Sequence, residues 1–373
     1  MDSIDVEKIK KTPICFIIGS PRSGTTMLRM LFDAHPNIAI PIEHPYFLLF
    51  YSKYHKIKYW TKELLIEFYE DLRSKQKFKE WSIDYWSLDS NVIKNNLLKC
   101  EGKNDFHTIC KVIHLSYESF YEKKDITLIA DQNPVYSVCI NKLIEVFDNV
   151  KFIHITRDYR DHINSIKNVS FGGDAVPLIA LRWKLFLKNT LKYKKQHPEL
   201  FFTVKYEDFV LSPDKYMKEI SSFLDIEYLP SVFDFYKIQS NLNDYSKLVE
   251  NRDKRLSFFN FFAESILKYH SNLMKPINSS NIYAWRKSMP SQEVELADFM
   301  VGKYAELAGY ERKYNRINVF LFFKTSLLYI HYFTQILIGK LLIFLPLKLR
   351  YKIASRESIV EKLYVKLTKK SHK

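Results

Sequence analysis

The sequence predicts an α/β protein in which helices flank a parallel sheet and a basic amphipathic helical tail follows at the C-terminus. Short, continuous apolar runs alternate with longer amphipathic stretches, and each run ends at a Gly turn, an acid or an Arg. Continuous apolar runs are typical of parallel strands that are covered on both faces. The tail is predicted from an uneven distribution of charge along the chain.

Four apolar runs are predicted to be strands, in the order Ile14–Ile18, Ile126–Ala130, Phe152–Thr156 and Phe201–Lys205. Helical spacing of apolar residues predicts helices at Thr25–Ala34, Val135–Phe147, Asp161–Lys167, Pro177–Gln196 and Pro213–Leu224. Residues 50–120, which are rich in Tyr, Trp and Lys, are expected to add helices, and residues 230–275 give no clear pattern.

Composition excludes several classes of protein. The 373 residues include 28 Phe, 25 Tyr and 5 Trp, which excludes intrinsic disorder, and only 8 Gly and 13 Pro, which excludes collagen-like or linker-like chains. Four Cys with no CxxC pair make a disulfide scaffold or a Cys-rich zinc site improbable. The first 13 residues contain no uninterrupted apolar segment of signal-peptide length, so we expect a cytoplasmic protein. The C-terminal tail, described below, adds the expectation that it is peripheral on the membrane.

The strongest motif is Gly19-Ser-Pro-Arg22-Ser-Gly24-Thr25-Thr26, between the first predicted strand and helix. Glycines let backbone N–H groups converge on an anion, and the helix N-terminus adds partial positive charge. Thr25 stands where a P-loop carries its Lys, and Arg22 supplies a planar cation inside the loop. The motif therefore predicts a site that binds phosphate or sulfate. The missing Lys indicates a ligand with a shorter anionic tail than that of the nucleotides that kinases bind.

A second motif, Arg157-Asp-Tyr-Arg-Asp-His-Ile-Asn-Ser165, begins where another predicted strand ends. Open α/β sheets bind ligands at the carboxyl edge of their strands. Arg157 and Ser165 are therefore predicted to hold a second phosphate near the first, and a salt-bridged surface turn is the alternative.

These two motifs resemble the 5′-phosphosulfate loop and the 3′-phosphate motif of sulfotransferases that use 3′-phosphoadenosine 5′-phosphosulfate (PAPS). The string PRSGTTMLRMLFDAHPNIAIPIEHP is most similar to the tyrosylprotein sulfotransferase branch and its bacterial relatives. Further matches are ADQNP at 130–134, VKYEDFV at 204–210 and KPIN at 275–278, so the resemblance covers most of residues 14–310.

The resemblance implies a P-loop-like cradle and roles for individual residues. By resemblance, the 5′-phosphosulfate is held by Arg22, Ser23, Gly24, Thr25 and Thr26. Arg157 and Ser165 hold the 3′-phosphate, and Tyr206 and Lys275 lie near the nucleotide. No metal is required, because the leaving group departs between fixed cations and helix dipoles.

Glu43 matches the position of the catalytic base in this branch, and Arg22 is the second catalytic residue implied. A carboxylate near the loop can take the proton of an attacking hydroxyl. His44 is a rival base, and an ordinary loop carboxylate is the structural alternative for Glu43. The chain departs from the family at Gln132, where the branch usually carries a Lys, so leaving-group stabilisation falls to Arg22 or Lys275 or is weaker.

Two other functions remain open at this stage. A P-loop kinase or NTPase would use Asp131 as the acid that holds Mg²⁺, although the missing Lys argues against it. A non-catalytic membrane or nucleic-acid binding protein would not depend on Arg22. As a sulfotransferase, the chain is expected to act on a hydroxyl of a saccharide, a lipid-linked glycan or a protein tyrosine.

Residues 312–373 are predicted to form a tail outside a catalytic domain at 1–311. The tail carries 14 Lys and Arg against 2 acids, a net charge of +12, while the rest of the chain carries +3. This charge lies beside Leu-, Ile- and Phe-rich sequence, which favours a membrane surface over nucleic acid. In Ile317–Leu347, Lys324, His331 and Gln335 share one helical face, as in a helix that lies in the membrane interface. A spanning helix, or a tail packed on the body or on a second subunit of a homodimer, is the alternative.

Overall fold

A five-stranded parallel sheet lies at the centre of the fold in a computed structural model that describes residues 4–73, 90–119, 121–167, 175–237, 271–316 and 319–342. The strands of this sheet, in chain order, are β1 (Ile14–Ile18), β2 (Ile38–Ala39), β5 (Leu128–Gln132), β6 (Val150–Thr156) and β7 (Phe201–Lys205). Their order across the sheet is β2-β5-β1-β6-β7. An antiparallel pair, β3 (Tyr59–Trp60) and β4 (Gly102–Lys103), forms a second sheet. The predicted α/β class with a parallel central sheet is confirmed.

Helices connect the strands along the described chain. They are α1 (Val6–Lys11), α2 (Thr25–Asp33), α3 (Tyr46–Tyr54), α4 (Lys62–Arg73), α5 (Ser90–Leu98), α6 (Phe106–Leu115), α7 (Ile140–Val146), α8 (Tyr159–Lys167), α9 (Val176–Gln196), α10 (Tyr206–Leu211), α11 (Pro213–Leu224), α12 (Trp285–Ser288), α13 (Ser291–Val301), α14 (Tyr304–Leu307) and α15 (Val319–Leu342). Short 3₁₀ segments lie at Pro134–Val138, Pro198–Leu200, Pro230–Asp234 and Ser271–Met274. Helices α3 to α6 lie in the region where the sequence predicts additional helices.

Strand β1 has the predicted bounds, and all five of its residues are buried. Ile14, Phe16 and Ile18 belong to a core on one face of the sheet, whereas Cys15 and Ile17 belong to a core on the other face. Both faces are covered, which explains why the run is continuously apolar instead of alternating.

Strand β5 begins and ends two residues later than the predicted strand Ile126–Ala130. Pairing with β1 sets its register, since Ile129 lies opposite Ile14 and Gln132 lies opposite Ile17. Backbone pairing thus extends the strand through two polar residues that the apolar pattern does not include. As a result, Gln132 lies at the carboxyl end of the strand next to β1.

The predicted helix Val135–Phe147 is wrong in its first half. The Asn133 side chain accepts a hydrogen bond from the Val135 amide and begins a 3₁₀ turn over Pro134–Val138. Cys139 has φ −133°, which is outside the helical region, so α7 begins only after it. Strand β2 is absent from the sequence prediction because two residues are too few to show a period.

Helix α15 packs one face against the body of the molecule. Leu328 and Tyr332 belong to a buried cluster with residues of α8, α9 and α13, and the Tyr332 hydroxyl donates to the Leu181 carbonyl at 3.3 Å. In the part of the chain that is described, no helix has the length and apolarity needed to cross a membrane. The predicted polar face falls partly outside the described side chains, and residues 343–373 lie outside the described residues altogether.

Candidate active site

The loop between β1 and α2 requires glycine at both ends. Gly19 has φ +152°, and a Cβ there would lie 2.2 Å from the Ile155 carbonyl oxygen. Gly24 has φ +99°, caps α2, and would bring a Cβ within 2.7 Å of the Tyr206 ring. The Ser137 hydroxyl accepts from the Gly19 amide at 3.1 Å. The loop is therefore held tightly against β6 and α10, and the amino end of α2 faces the same edge of the sheet.

Arg22 joins the loop to the second predicted motif. Its Nε donates to the Ser165 hydroxyl at 3.1 Å, across 143 residues of chain. Burial and the nearby Arg157 charge lower the pKa of Arg22 to about 10, so the guanidinium remains protonated at neutral pH. Two cations brought together in this way raise the local affinity for an anion.

Arg157 lies just after β6 and is fixed from three sides. Its Nη1 donates to the Arg22 carbonyl at 2.9 Å and its Nη2 donates to the Asn281 carbonyl at 2.8 Å. The guanidinium carbon lies 4.6 Å from the centre of the Tyr206 ring. Tyr206 therefore packs against the loop at Gly24 and also supports the Arg157 guanidinium with its ring.

A cavity of about 160 Å³ opens at this edge of the sheet. Seven residues predicted for the site line it: Arg22, Gly24, Thr25, Thr26, Arg157, Tyr206 and Lys275. Ser23 is fully buried and Ser165 contacts Arg22, but neither lines the cavity. The Ser23 Oγ and the Arg157 Nε have no hydrogen-bond partner among the described residues.

The sequence does not single out the other lining residues one by one. They are Met27, Phe235, Asn272, Leu273, Ile277, Asn278 and Asn281. Most of them come from the stretch around residues 230–281, which lies far from the loop in sequence and is brought to it only by the tertiary fold. Of these, only the segment containing Ile277 and Asn278 could be found, through the KPIN resemblance.

Gln132 links Glu43 to the loop. Its side-chain nitrogen lies 3.3 Å from the Thr25 Oγ1 and 3.4 Å from the Glu43 Oε2. An amide nitrogen carries two hydrogens, so it can donate to both groups at once. Glu43 therefore lies near Thr25, the first residue of α2, which lines the cavity, but Glu43 itself is not among the lining residues.

The pKa of Glu43 is raised to about 7. Burial is the main cause, the hydrogen bond from Gln132 opposes it, and the Asp131 charge adds to the increase. A carboxylate with a pKa near neutrality can accept a proton and later release it, as a general base requires.

The loop that carries Glu43 is anchored by a residue that the sequence reasoning missed. Arg29 is buried in α2, donates from Nε to the Pro41 carbonyl at 3.2 Å, and pairs with Asp33 at 3.1 Å. Its Nη2 also donates to the Tyr117 hydroxyl at 3.0 Å. An Arg amid the apolar face of a predicted helix is the signal that could have revealed this anchor.

His44, the rival base, and Asp131, the Mg²⁺ ligand of the kinase alternative, lie in different surroundings. His44 is 1% exposed, and its carbonyl accepts from the Tyr136 hydroxyl at 3.4 Å. Asp131 is 2% exposed and lies 3.1 Å from the His114 Nε2. Asp131 therefore has a buried protein partner in His114. The kinase alternative, in which Asp131 would hold Mg²⁺, is supported neither by this pairing nor by the comparisons with known proteins.

The known proteins to which this chain is similar are sulfotransferases. A family model described as "Sulfotransferase family" matches residues 13–230, which is more than half of the chain. The chain is 24% identical over 318 residues to protein-tyrosine sulfotransferase A of Caenorhabditis elegans, covering 83% of this chain and 70% of that protein. It is 27% identical over 154 residues to omega-hydroxy-beta-dihydromenaquinone-9 sulfotransferase Stf3 of Mycobacterium tuberculosis, covering 36% of this chain and 38% of that protein.

Among solved structures, the sulfotransferase domain from the Synechococcus PCC 7002 olefin synthase has the same fold. It superposes with a TM-score of 0.54 at 21% identity, and the match covers 80% of this chain and 95% of that domain. The chain spans little more than half the length of some tyrosine sulfotransferases that it matches.

Proposed function

The chain belongs to the sulfotransferase family, whose members are transferases of class EC 2.8.2, and we propose that it transfers a sulfuryl group from PAPS to a hydroxyl acceptor. The observation that carries this proposal is the contact between Arg22 and Ser165. It joins the glycine loop to the second anion motif at one edge of the sheet, where the two arginines line a single cavity.

The residues present fit a nucleotide with anionic groups at both its 5′ and 3′ positions. The glycine loop, the N-terminus of α2, Arg22, Ser23, Thr25 and Thr26 would hold the 5′-phosphosulfate. Arg157 and Ser165 would hold the 3′-phosphate, with Tyr206 and Lys275 beside the nucleotide. The Arg157 guanidinium lines the cavity and its Nε lacks a partner in the described protein, which supports a ligand that supplies acceptor oxygens.

In the proposed reaction, a bond forms between the acceptor oxygen and sulfur while the bond between sulfur and the bridging oxygen breaks. PAPS supplies the sulfuryl group, and its 3′,5′-diphosphate keeps the electron pair of the broken bond. Glu43 takes the proton of the acceptor hydroxyl. Arg22 and the loop amides stabilise the negative charge that builds on the bridging oxygen. Fixing Arg22 after β1 and Glu43 after β2 also sets the line of attack.

Gln132 has a different role from the Lys that the family usually carries. It donates hydrogen bonds without adding charge, and it holds Glu43 next to Thr25. A cation at this position would lower the pKa of Glu43, whereas the neutral amide leaves it near 7. We therefore assign Gln132 to positioning the base, and assign stabilisation of the leaving group to Arg22 and Lys275.

The chain divides into a catalytic unit at residues 1–311 and a tail at 312–373 in this proposal. Every residue assigned to the reaction lies before residue 276, and the family model ends at residue 230. The tail therefore serves a purpose other than the transfer itself.

The acceptor is a hydroxyl of a protein tyrosine, a saccharide or a lipid. One relative is named for a protein tyrosine and another for a hydroxylated menaquinone, so two of these classes occur among similar proteins. Incubation of the purified protein with [³⁵S]PAPS and a fractionated cell extract tests the proposal. We expect label in one of the protein, glycan or lipid fractions, and far less label with Glu43→Gln. Label that stays entirely in the nucleotide with every fraction would overturn the proposal.

A further inference from the structure

Helix α15 exposes a stripe of six apolar side chains on the side opposite to its packed face. Its members are Phe320, Phe323, Ile330, Phe333, Leu337 and Leu341, and their exposed fractions lie between 56% and 73%. They are spaced by three, four or seven residues, so they lie on one side of the helix. Single exposed apolar residues are ordinary, but a row of this length indicates an interaction surface.

The packed face of the helix fixes its orientation on the molecule. Leu328 and Tyr332 are buried against α9, and the hydrogen bond from Tyr332 to Leu181 ties the helix along the body. The helix thus lies flat on the protein and presents the stripe outward along its length. A helix held in this way can enter a bilayer only sideways, to the depth of its exposed side chains.

The charge of the C-terminal segment distinguishes a second copy of the chain from a lipid surface as the partner that covers the stripe. The segment from Arg312 to Lys373 carries a net charge of +12, and Arg312, Lys313 and Arg316 immediately precede the helix. A second copy of the chain has the same net positive charge in this segment, so two copies would repel each other. An anionic lipid surface instead attracts the cations while its hydrocarbon accepts the apolar side chains.

We propose that the α15 stripe, made up of the six side chains named above, is a docking face for an anionic membrane surface, into which it inserts parallel to the plane of the bilayer. This inference does not depend on the proposed chemistry, because no residue of the site lies on α15. It places the catalytic unit at a lipid surface through a helix that lies along that surface.

Vesicle flotation of the full-length protein tests the inference. We expect binding to vesicles of phosphatidylcholine mixed with phosphatidylglycerol, and much weaker binding to phosphatidylcholine alone or at high salt. The triple variant Phe320→Ser, Phe333→Ser and Leu337→Ser should lose at least about 100-fold in partitioning. A matched variant that changes three exposed apolar residues elsewhere, Tyr59→Ser, Leu211→Ser and Leu307→Ser, should bind like the wild type.

A second measurement keeps the test valid if the triple variant folds poorly. The four native cysteines are buried, so a thiol-reactive, environment-sensitive fluorophore can be directed to Phe333→Cys or, as a control, to Leu211→Cys. We expect a blue shift on adding anionic vesicles only at position 333. Failure of the wild type to bind anionic vesicles would overturn the inference. So would a blue shift that occurs without lipid together with a dimer in light scattering, which would identify a second copy as the occupant.

Discussion

Arg22 is the side chain on which the proposed chemistry depends most. It lies within the glycine loop at φ +65°, an unusual conformation for a residue with a Cβ, and contacts the second motif through Ser165. Backbone strain of this kind persists only where the surrounding structure enforces it, and here the Arg157 guanidinium holds the Arg22 carbonyl. Arg22 and Arg157 both line the cavity.

Replacing Arg22 tests this role. We expect Arg22→Ala to lower kcat/KM for sulfuryl transfer by about 100- to 1000-fold, because a fixed donor to the developing charge is lost. Steady-state assays with labelled PAPS measure the effect. Arg73→Ala, at an exposed Arg at the end of α4, is the matched control and should have wild-type activity. An Arg22→Ala enzyme as active as this control would contradict the assignment.

The pH dependence of the reaction tests Glu43. A base acts in its deprotonated form, and burial raises the pKa of Glu43 to about 7. We therefore expect kcat/KM to fall about tenfold for each pH unit below that value and to level off above it. In Glu43→Gln the rate should be low and independent of pH through this range. An unchanged profile in the variant would assign the ionisation to another group.

Two substitutions of Gln132 should shift the midpoint of the pH profile in opposite directions. Gln132→Lys places a positive charge beside the carboxylate and should lower the midpoint by about one pH unit or more. Gln132→Leu removes the hydrogen bond that holds the pKa down and should raise the midpoint. A purely structural role would lower the rate in both variants and leave both midpoints in place.

Among the secondary-structure elements, the glycine loop and α2 determine whether the site can form. Gly24 and Gly102 both have positive φ, +99° and +108°, but only Gly24 faces close neighbours. We expect Gly24→Ala to reduce both thermal stability and nucleotide affinity, because the new Cβ would displace the Tyr206 ring that supports Arg157.

Gly102→Ala is the matched control for this change. It carries the same backbone strain, roughly 1–2 kcal/mol, in open space, so it should lower stability slightly and leave nucleotide affinity unchanged. Thermal melts and titration of 3′,5′-diphosphoadenosine measure both quantities. Equal losses of affinity in the two variants would show that packing of Gly24 against Tyr206 does not matter.

The sequence predicts the helices and strands that a local pattern of residues defines. It does not predict those whose bounds depend on pairing with another strand. Strands β1 and β7 and helix α11 have the predicted bounds because apolar runs and Gly or Pro punctuation define them. Strand β2, which precedes the Glu43 loop, has only two residues and exists because it pairs with β5. The polar end of β5 likewise follows from its register with β1.

Over the whole molecule, the two anion motifs could be predicted, but the rest of the cavity could not. Arg22 and Arg157 lie at the ends of recognisable strands, so parallel pairing brings them together. Phe235, Asn272 and Asn281 reach the cavity only through the path of the chain after β7, which no local pattern encodes. For the same reason, the sequence gives no information about the acceptor.

The charge of the molecule is concentrated in its C-terminal segment, while the rest of the chain, which contains the candidate site, carries a net charge of only +3. Affinity for the nucleotide should therefore depend on the buried arginines of the cavity more than on overall charge. Increasing ionic strength should weaken vesicle binding far more than nucleotide binding, because buried pairs are screened less than exposed ones. Parallel titrations in low and high salt measure both, and an equal loss in the two would argue against separate sites.

Isothermal titration calorimetry with 3′,5′-diphosphoadenosine, adenosine 5′-monophosphate and ATP with Mg²⁺ tests most directly whether the loop and the second motif together hold a nucleotide with two anionic ends. The account predicts that 3′,5′-diphosphoadenosine binds most tightly, and that removing the 3′-phosphate weakens binding on the order of 100-fold, because Arg157 and Ser165 then have no ligand. Equal affinity for 3′,5′-diphosphoadenosine and adenosine 5′-monophosphate, or tighter binding of ATP with Mg²⁺, would contradict it.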